Sequence, residues 1–152
     1  MVDIALTWSN DIWRGDWSLT PDGTLADDRD LETSVLLSIF TDRTAEPGDE
    51  IPDDGTIRGW WADTYRRYPL GSRLWLLARS KQTETVRKKA EEYSRESLQW
   101  MIDSQAARTV TTKAAWIARG MLELIIEITP PAGERRLWRF VMPWSQLVGA
   151  GR

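Results

Sequence analysis

Apolar side chains recur along this chain with more than one spacing, and each spacing predicts a different element. In the last third they alternate. Val110, Thr112, Ala114 and Trp116 fall on one side of an extended segment; after Gly120, Leu122, Leu124, Ile126 and Ile128 do the same, with Glu123 and Glu127 opposite. Pro130-Pro131-Ala132-Gly133 turns the chain, and Trp138, Phe140 and Met142 line the inner side of a return strand. Arg135 and Arg139 share the parity of the two glutamates. The pattern predicts antiparallel strands within 108–143, with Arg facing Glu across a hairpin in a way that helps fix its register.

Helical spacing occurs twice. Over 82–104, Val86, Ala90, Tyr93, Ser97, Trp100 and Met101 form one stripe, widened by Leu98 and Ile102. Lys88, Glu92, Arg95, Glu96, Gln99 and Asp103 form a solvated face, on which Glu84–Lys88 and Glu91–Arg95 stand at pairing distance along a helix. A shorter helix is predicted over 30–42, with Asp30 as N-cap, Glu32 in the first turn, and Leu31, Val35, Leu36, Ile39 and Phe40 facing inward. Leu74-Trp75-Leu76-Leu77 is continuously apolar, which fits a buried strand or a helical turn. At the N-terminus Ile4, Leu6 and Trp8 alternate, Trp17 and Leu19 are in phase within Asp16–Thr20, and Pro21-Asp22-Gly23 is a turn from which Thr24–Ala26 returns. This gives a hairpin within 1–28. The expected class is α+β: a C-terminal antiparallel β-meander packed against a long helix, with an N-terminal hairpin and a short helix, all in one domain spanning 1–152.

Residues 43–57 hold Pro47, Gly48, Pro52 and Gly55 among the carboxylates Glu46, Asp49, Glu50, Asp53 and Asp54. A loop of that length is more often functional than idle. Arg58-Gly59-Trp60-Trp61-Ala62-Asp63 follows. Neighbouring side chains diverge on any regular backbone, so the two indoles cannot share one pocket. One can enter the core; the other needs a second surface or must pack under the preceding loop.

Composition narrows the chemistry. The chain has no His and no Cys, so an imidazole base, a thiolate nucleophile and an ordinary zinc site are excluded. A net charge of −3 gives no footprint for nucleic acid. No stretch approaches the roughly 18 apolar residues of a membrane span, the N-terminus has no signal-peptide pattern, and the lack of cysteine fits a reducing cytosol. Most of the ten tryptophans are expected in the core and two or three at interfaces. Glu32, Asp53, Asp54 and Asp63 are the carboxylates from which a glycoside-hydrolysing pair would be drawn. A calcium loop starting at Asp49 fails at Ile51, and a sugar platform on Trp60-Trp61 lacks its polar companions. No cofactor, metal or small-molecule substrate is therefore expected.

Asp30–Arg43 and Arg58–Asp63 resemble the corresponding blocks of the small baseplate proteins of Mu-like phages and prophages, and the likeness reaches back to Arg14–Trp17 and forward through Gly71–Leu77 into the long helix. More remotely, the short helix followed by Asp42-Arg43 and Pro52 is similar to the lysozyme-like baseplate wedge family of contractile tails, a name that implies no activity here. The sequence departs from the pattern at Ala62, where glycine is common, and at Ala78-Arg79-Ser80-Lys81, which is less acidic than usual. The resemblance implies a non-enzymatic structural component near the junction of tail tube and sheath. Its implied partners are other wedge subunits and, by strand exchange, the sheath protein. Its implied location is the tail baseplate of the virion, after assembly in the host cytoplasm. Contacts are expected from Arg58, Gly59, Trp60, Trp61 and Asp63, and from Ile4, Leu6 and Trp8 as an edge or exchanged strand. Nucleic acid and membrane are not expected partners. A tail-associated peptidoglycan hydrolase using paired carboxylates is the alternative, and a carbohydrate-binding module a further one.

Overall fold

The computed structural model describes residues 3–28, 31–52, 55–77 and 79–147. Short strands β1 (Asp3–Ile4), β2 (Leu6–Ser9), β3 (Arg14–Trp17) and β4 (Asp27–Asp28) lead into helix α1 (Glu32–Phe40). Two 3-10 turns, Trp61–Tyr65 and Leu74–Leu77, precede helices α2 (Glu84–Ser97) and α3 (Gln99–Asp103). Strands β5 (Thr109–Ala118), β6 (Met121–Thr129) and β7 (Arg136–Pro143) follow, then a single turn, α4 (Trp144–Leu147). The class is α+β, as the spacing predicts.

The alternating third forms one antiparallel sheet in the order β5-β6-β7. Leu122 pairs with Met142, Leu124 with Phe140 and Ile126 with Trp138. Leu122, Leu124, Ile126 and Ile128 are fully buried, each contributing about 2 kcal/mol from apolar area removed from water. On the outer face Arg139 pairs with Glu123 and Arg135 with Glu127. The helices cover the inner face. Arg87 of α2 donates to the Ala114 carbonyl (2.8 Å), and Glu91 accepts from the Ala114 N–H (3.1 Å), so one ion-paired couple clips the helix to the outer border of β5.

The long helix differs from its expected form. It starts at a Thr83 cap, whose hydroxyl accepts from the Val86 N–H, and is interrupted at Leu98 before α3 resumes. Ser94 and Ser97 donate back to the carbonyls of Ala90 and Ser94, a competition with the backbone ladder that bends helices. Leu98 at the break is fully buried, whereas Ile102 is exposed. Arg87, rather than Lys88 or Arg95, takes both Glu84 and Glu91, and Glu96 turns inward, as described below.

In α1, Val35, Leu36 and Ile39 are buried and Phe40 partly so. Asp30, the expected N-cap, lies outside the described residues; Leu31, at φ 65°, flanks the helix without a side-chain cap. The first-turn side chains serve the ribbon instead. Thr33 accepts from the Leu6 N–H (2.8 Å) and Glu32 from the Trp8 N–H (3.2 Å).

The predicted N-terminal strand is divided at Ala5. On one side β1 pairs with β4; on the other β2 pairs with β3, with Leu6 opposite Trp17 and Trp8 opposite Gly15. Ala5 donates to the Ala26 carbonyl and accepts from the Ser18 N–H, so it belongs to both. The turn at Pro21–Gly23 forms, closed by the Leu19–Leu25 bridge. The tighter turn at 10–13 was not expected. Its Asn10 carboxamide acts as a stand-in peptide group on the free border of β7, donating to the Arg139 carbonyl (3.2 Å) and accepting from the Val141 N–H (2.8 Å). Trp8 stacks on Phe40 at 4.6 Å and meets Phe140 edge-on at 5.8 Å. Asn10→Ala should therefore lower stability by about 1–2 kcal/mol and speed hydrogen exchange at the Val141 amide. Unchanged protection there would refute the clip.

Two indoles secure the opposite corner. Trp116 donates to the Thr83 carbonyl and Trp144 to the Ser80 carbonyl, each at 3.1 Å, and their rings meet edge-to-face at 5.1 Å. The linker entering α2 is thus held at one end by β5 and at the other by α4.

Candidate interaction surface

Residues 41–44 and 71–75 are tied together, and this tie carries the aromatic block. Ser72 donates to the Thr41 carbonyl, Arg43 to the Ser72 carbonyl, and the Ser72 hydroxyl to the Ile39 carbonyl (2.6 Å). The apolar run Leu74–Leu77 is a 3-10 turn with all four residues buried, and Trp75 donates its indole N–H to the Arg43 carbonyl (2.8 Å). Arg58 lies over the Trp75 ring at 4.6 Å and pairs with Asp42 at 2.6 Å. Gly59 has φ +104°, and a Cβ there would stand 1.9 Å from the Thr44 hydroxyl, so the chain passes Thr44 only without a side chain. Arg58 and Gly59 therefore brace the turn from within.

The two indoles diverge. Trp60 is half-buried; Trp61 is 78% exposed, its ring 5.9 Å from that of Trp60 and tilted by 52°. Tyr65, at the end of the same 3-10 turn, is 85% exposed. Asp63 closes the following arm by accepting from the Leu70 N–H at 3.0 Å; its second oxygen is buried and has no protein partner. Asp63 is thus a fastening within the chain. Of the ten tryptophans, Trp75 and Trp144 are buried, while Trp13, Trp17 and Trp61 are exposed.

Ile4 is exposed, whereas Leu6 and Trp8 are half-buried against the core, and the N–H groups of Leu6 and Trp8 are taken by α1. Neither outer border of this two-stranded ribbon carries a strand among the described residues: side chains of α1 cap that of β2, whereas the four residues of β3 are all exposed, with the Trp17 N–H turned to the Asp16 carboxylate at 2.8 Å. Trp17 in β3 and the bridged pair Leu19 and Leu25 beyond it are also exposed.

The acidic loop conceals a cluster that spacing alone does not reveal. Arg73 donates to both oxygens of Asp49 at 3.0 Å and to Glu96 at 2.9 and 3.2 Å, over the ring of Tyr93 at 4.7 Å. Arg43 adds contacts to Glu46 (3.3 Å) and Glu96 (3.5 Å). Burial pushes the Asp49 carboxyl up, but the Glu46 N–H and the Arg73 guanidinium more than offset this and hold it below its ordinary value. Burial raises the Tyr93 phenol. The signal in the sequence was Arg73 inside the family-like block Gly71–Leu77, but nothing in its spacing names partners at 49 and 96.

Of the carboxylates considered for hydrolysis, Asp53 and Asp54 lie outside the described residues, as does Ala78. Glu32 and Asp63 stand on separate elements, and each already accepts a backbone N–H.

A model of the phage protein GP46 family matches residues 31–135, from the start of α1 to the turn before β7. This chain belongs to the GP46 family. Its GP46 relatives include baseplate protein gp46 of Escherichia phage Mu, 40% identical over 134 residues that cover 88% of this chain and 90% of the relative. Another is the Mu-like prophage FluMu protein gp46 of Haemophilus influenzae, 35% identical over 146 residues, 95% of this chain and 99% of the relative. The GP46 match takes in Leu31–Arg43 and Arg58–Asp63, nearly all of the two blocks that carry the resemblance, and with them Arg73, Asp49 and Glu96.

Proposed function

We propose that the chain is a structural, non-enzymatic subunit of a contractile phage or prophage tail baseplate, and that its neighbours cover the aromatic surface its own fold leaves open. The observation that carries this reading is the likeness, over most of both chains, to the baseplate protein of phage Mu. Trp61 and Tyr65 support it, because large aromatic groups at the centre of a contact supply much of its affinity. Trp61 is the anchor; Arg58, Gly59, Trp60 and Asp63 set its position. Ile4, Leu6 and Trp8 fix the N-terminal ribbon, whose β3 border is available for strand addition by another wedge subunit or by sheath protein. The site of action is the tube–sheath junction of the virion, reached by assembly in the host cytoplasm.

Trp61→Ala tests the anchor. The substitution removes little internal packing beyond the contact with the Trp60 ring, so unfolding stability should change by no more than about 0.5 kcal/mol. Incorporation into tails should weaken about thirtyfold, equivalent to about 2 kcal/mol. Normal incorporation of a folded Trp61→Ala chain would remove Trp61 from the proposal. Purified tails that assemble and contract without this chain would remove the baseplate reading itself.

A further inference from the structure

Resting on that reading, we infer that the groove between α1 and residues 66–70 receives an acidic amphipathic segment of a neighbouring protein. Its apolar side chains lie against Leu37, Leu70 and Trp100, and its carboxylates meet Arg66 and Arg67. The groove has a volume of about 350 Å³ and is lined by these residues with Tyr68, at the small end of the range for ligand clefts. Leu37 points out of α1 at 40% exposure, on the side away from the buried Val35 and Ile39.

The walls are preformed, and their polar groups are largely engaged within the chain, one buried Asp63 oxygen excepted. Trp100 donates to the Ser38 hydroxyl (3.0 Å), which donates to the Ser34 carbonyl (2.7 Å). Asp63 holds the arm at both ends, accepting from the Leu70 N–H with its side chain and from the Arg66 N–H with its carbonyl. An occupant therefore meets an apolar surface and two guanidinium groups. Arg66 lies over Trp60 at 5.3 Å and Arg67 over Tyr68 at 5.4 Å. Stacking engages the face of a guanidinium and leaves its N–H edge for a carboxylate. Among the described residues neither arginine has a carboxylate partner, whereas Arg43, Arg58, Arg73, Arg87 and Arg139 each have one.

Charge complementarity decides the occupant. A second copy docked two-fold through this face would bring both pairs of Arg66 and Arg67 into one interface whose groove is lined by no carboxylate, which opposes self-association. Two cations beside apolar walls, on a chain of net charge −3, do not track a phosphate backbone. An acidic segment with an apolar stripe answers both features.

The test places the photo-crosslinking residue p-benzoylphenylalanine at Leu37 in the full chain, within assembled tails. A control carries it at Ile117, which is exposed on the sheet. Light should join position 37 to a peptide in which Asp or Glu lies within one helical turn of an apolar residue, identified by mass spectrometry. Adding Arg66→Glu with Arg67→Glu, in a chain whose melting curve is unchanged, should reduce that adduct at least tenfold and leave the Ile117 background as it was. An adduct to a basic or uncharged segment, to nucleic acid or to another copy of this chain overturns the inference. So does a yield indifferent to the charge reversal, or no adduct above the control in tails that contain the chain; in those cases the baseplate reading stands. Tails from which the chain is absent overturn both.

Discussion

Arg73→Met is expected to lower the unfolding stability by about 2–4 kcal/mol and to release the loop around Asp49 from the body. The substitution keeps length and apolar bulk but strands two carboxylates that now share one guanidinium, in a cluster where Arg73 and Asp49 side chains are each only 13% exposed. Removing one member of such a set costs more than the set contributes, because the remaining charges stay poorly solvated. Urea unfolding measures the loss, and limited proteolysis between 46 and 52 measures the release. The pH dependence follows from Asp49, whose folded pKa lies below its ordinary 3.8. Its contribution is fully present above that ordinary value and is lost as pH falls through the lower, folded one. Arg73→Met should flatten this part of the acid limb, and an acid limb unchanged by the substitution would show that the cluster does not hold the loop.

Gly71→Ala should be comparably severe, at about 3 kcal/mol or more. Gly71 has φ +100°, and a Cβ there would stand 2.3 Å from the Thr41 carbonyl oxygen and 2.8 Å from its carbon. Backbone cannot swing aside as a side-chain tip can, so either the tie between residues 41–43 and 72 opens or the strain remains. Gly59→Ala meets chiefly the Thr44 side chain and should cost less, while Gly23→Ala meets open space and bears only the strain of its φ of +84°. Denaturant midpoints in the order Gly23→Ala, Gly59→Ala, Gly71→Ala, from least to most damaging, would support this account. A mild Gly71→Ala would contradict it.

How much of this the chain discloses depends on the range of the interactions. The sheet was legible because a buried face repeats every second residue: Leu122, Leu124, Ile126 and Ile128 satisfy that at every position, and Phe140 and Met142 with the partly buried Trp138 follow it on the return strand. The stripe of α2 was legible too. Its break was not, since Leu98 fits a helical stripe as well as a kink, and Ser97, one of the two serines that bend the backbone, also fits the stripe. At the N-terminus the alternation of Ile4, Leu6 and Trp8 describes one continuous strand; only the Asn10 turn and the hydrogen bonds of Ala5 on both sides divide it. The aromatic block at 58–63 stood out by composition, and adjacency alone required the indoles to part. The fastening roles of Arg58 and Asp63 depend on Asp42, Trp75 and Leu70, and those of Arg73 on residues 24 and 23 positions away. No local pattern encodes such pairings.

The uneven placement of the indoles makes the molecule its own optical gauge. Aqueous iodide should reach the emission of Trp13, Trp17 and Trp61 while sparing Trp75 and Trp144, which are enclosed. A neighbour that settles over residues 57–65 would dim only the Trp61 share of that quenching, so the order in which subunits join could be followed without attaching a dye.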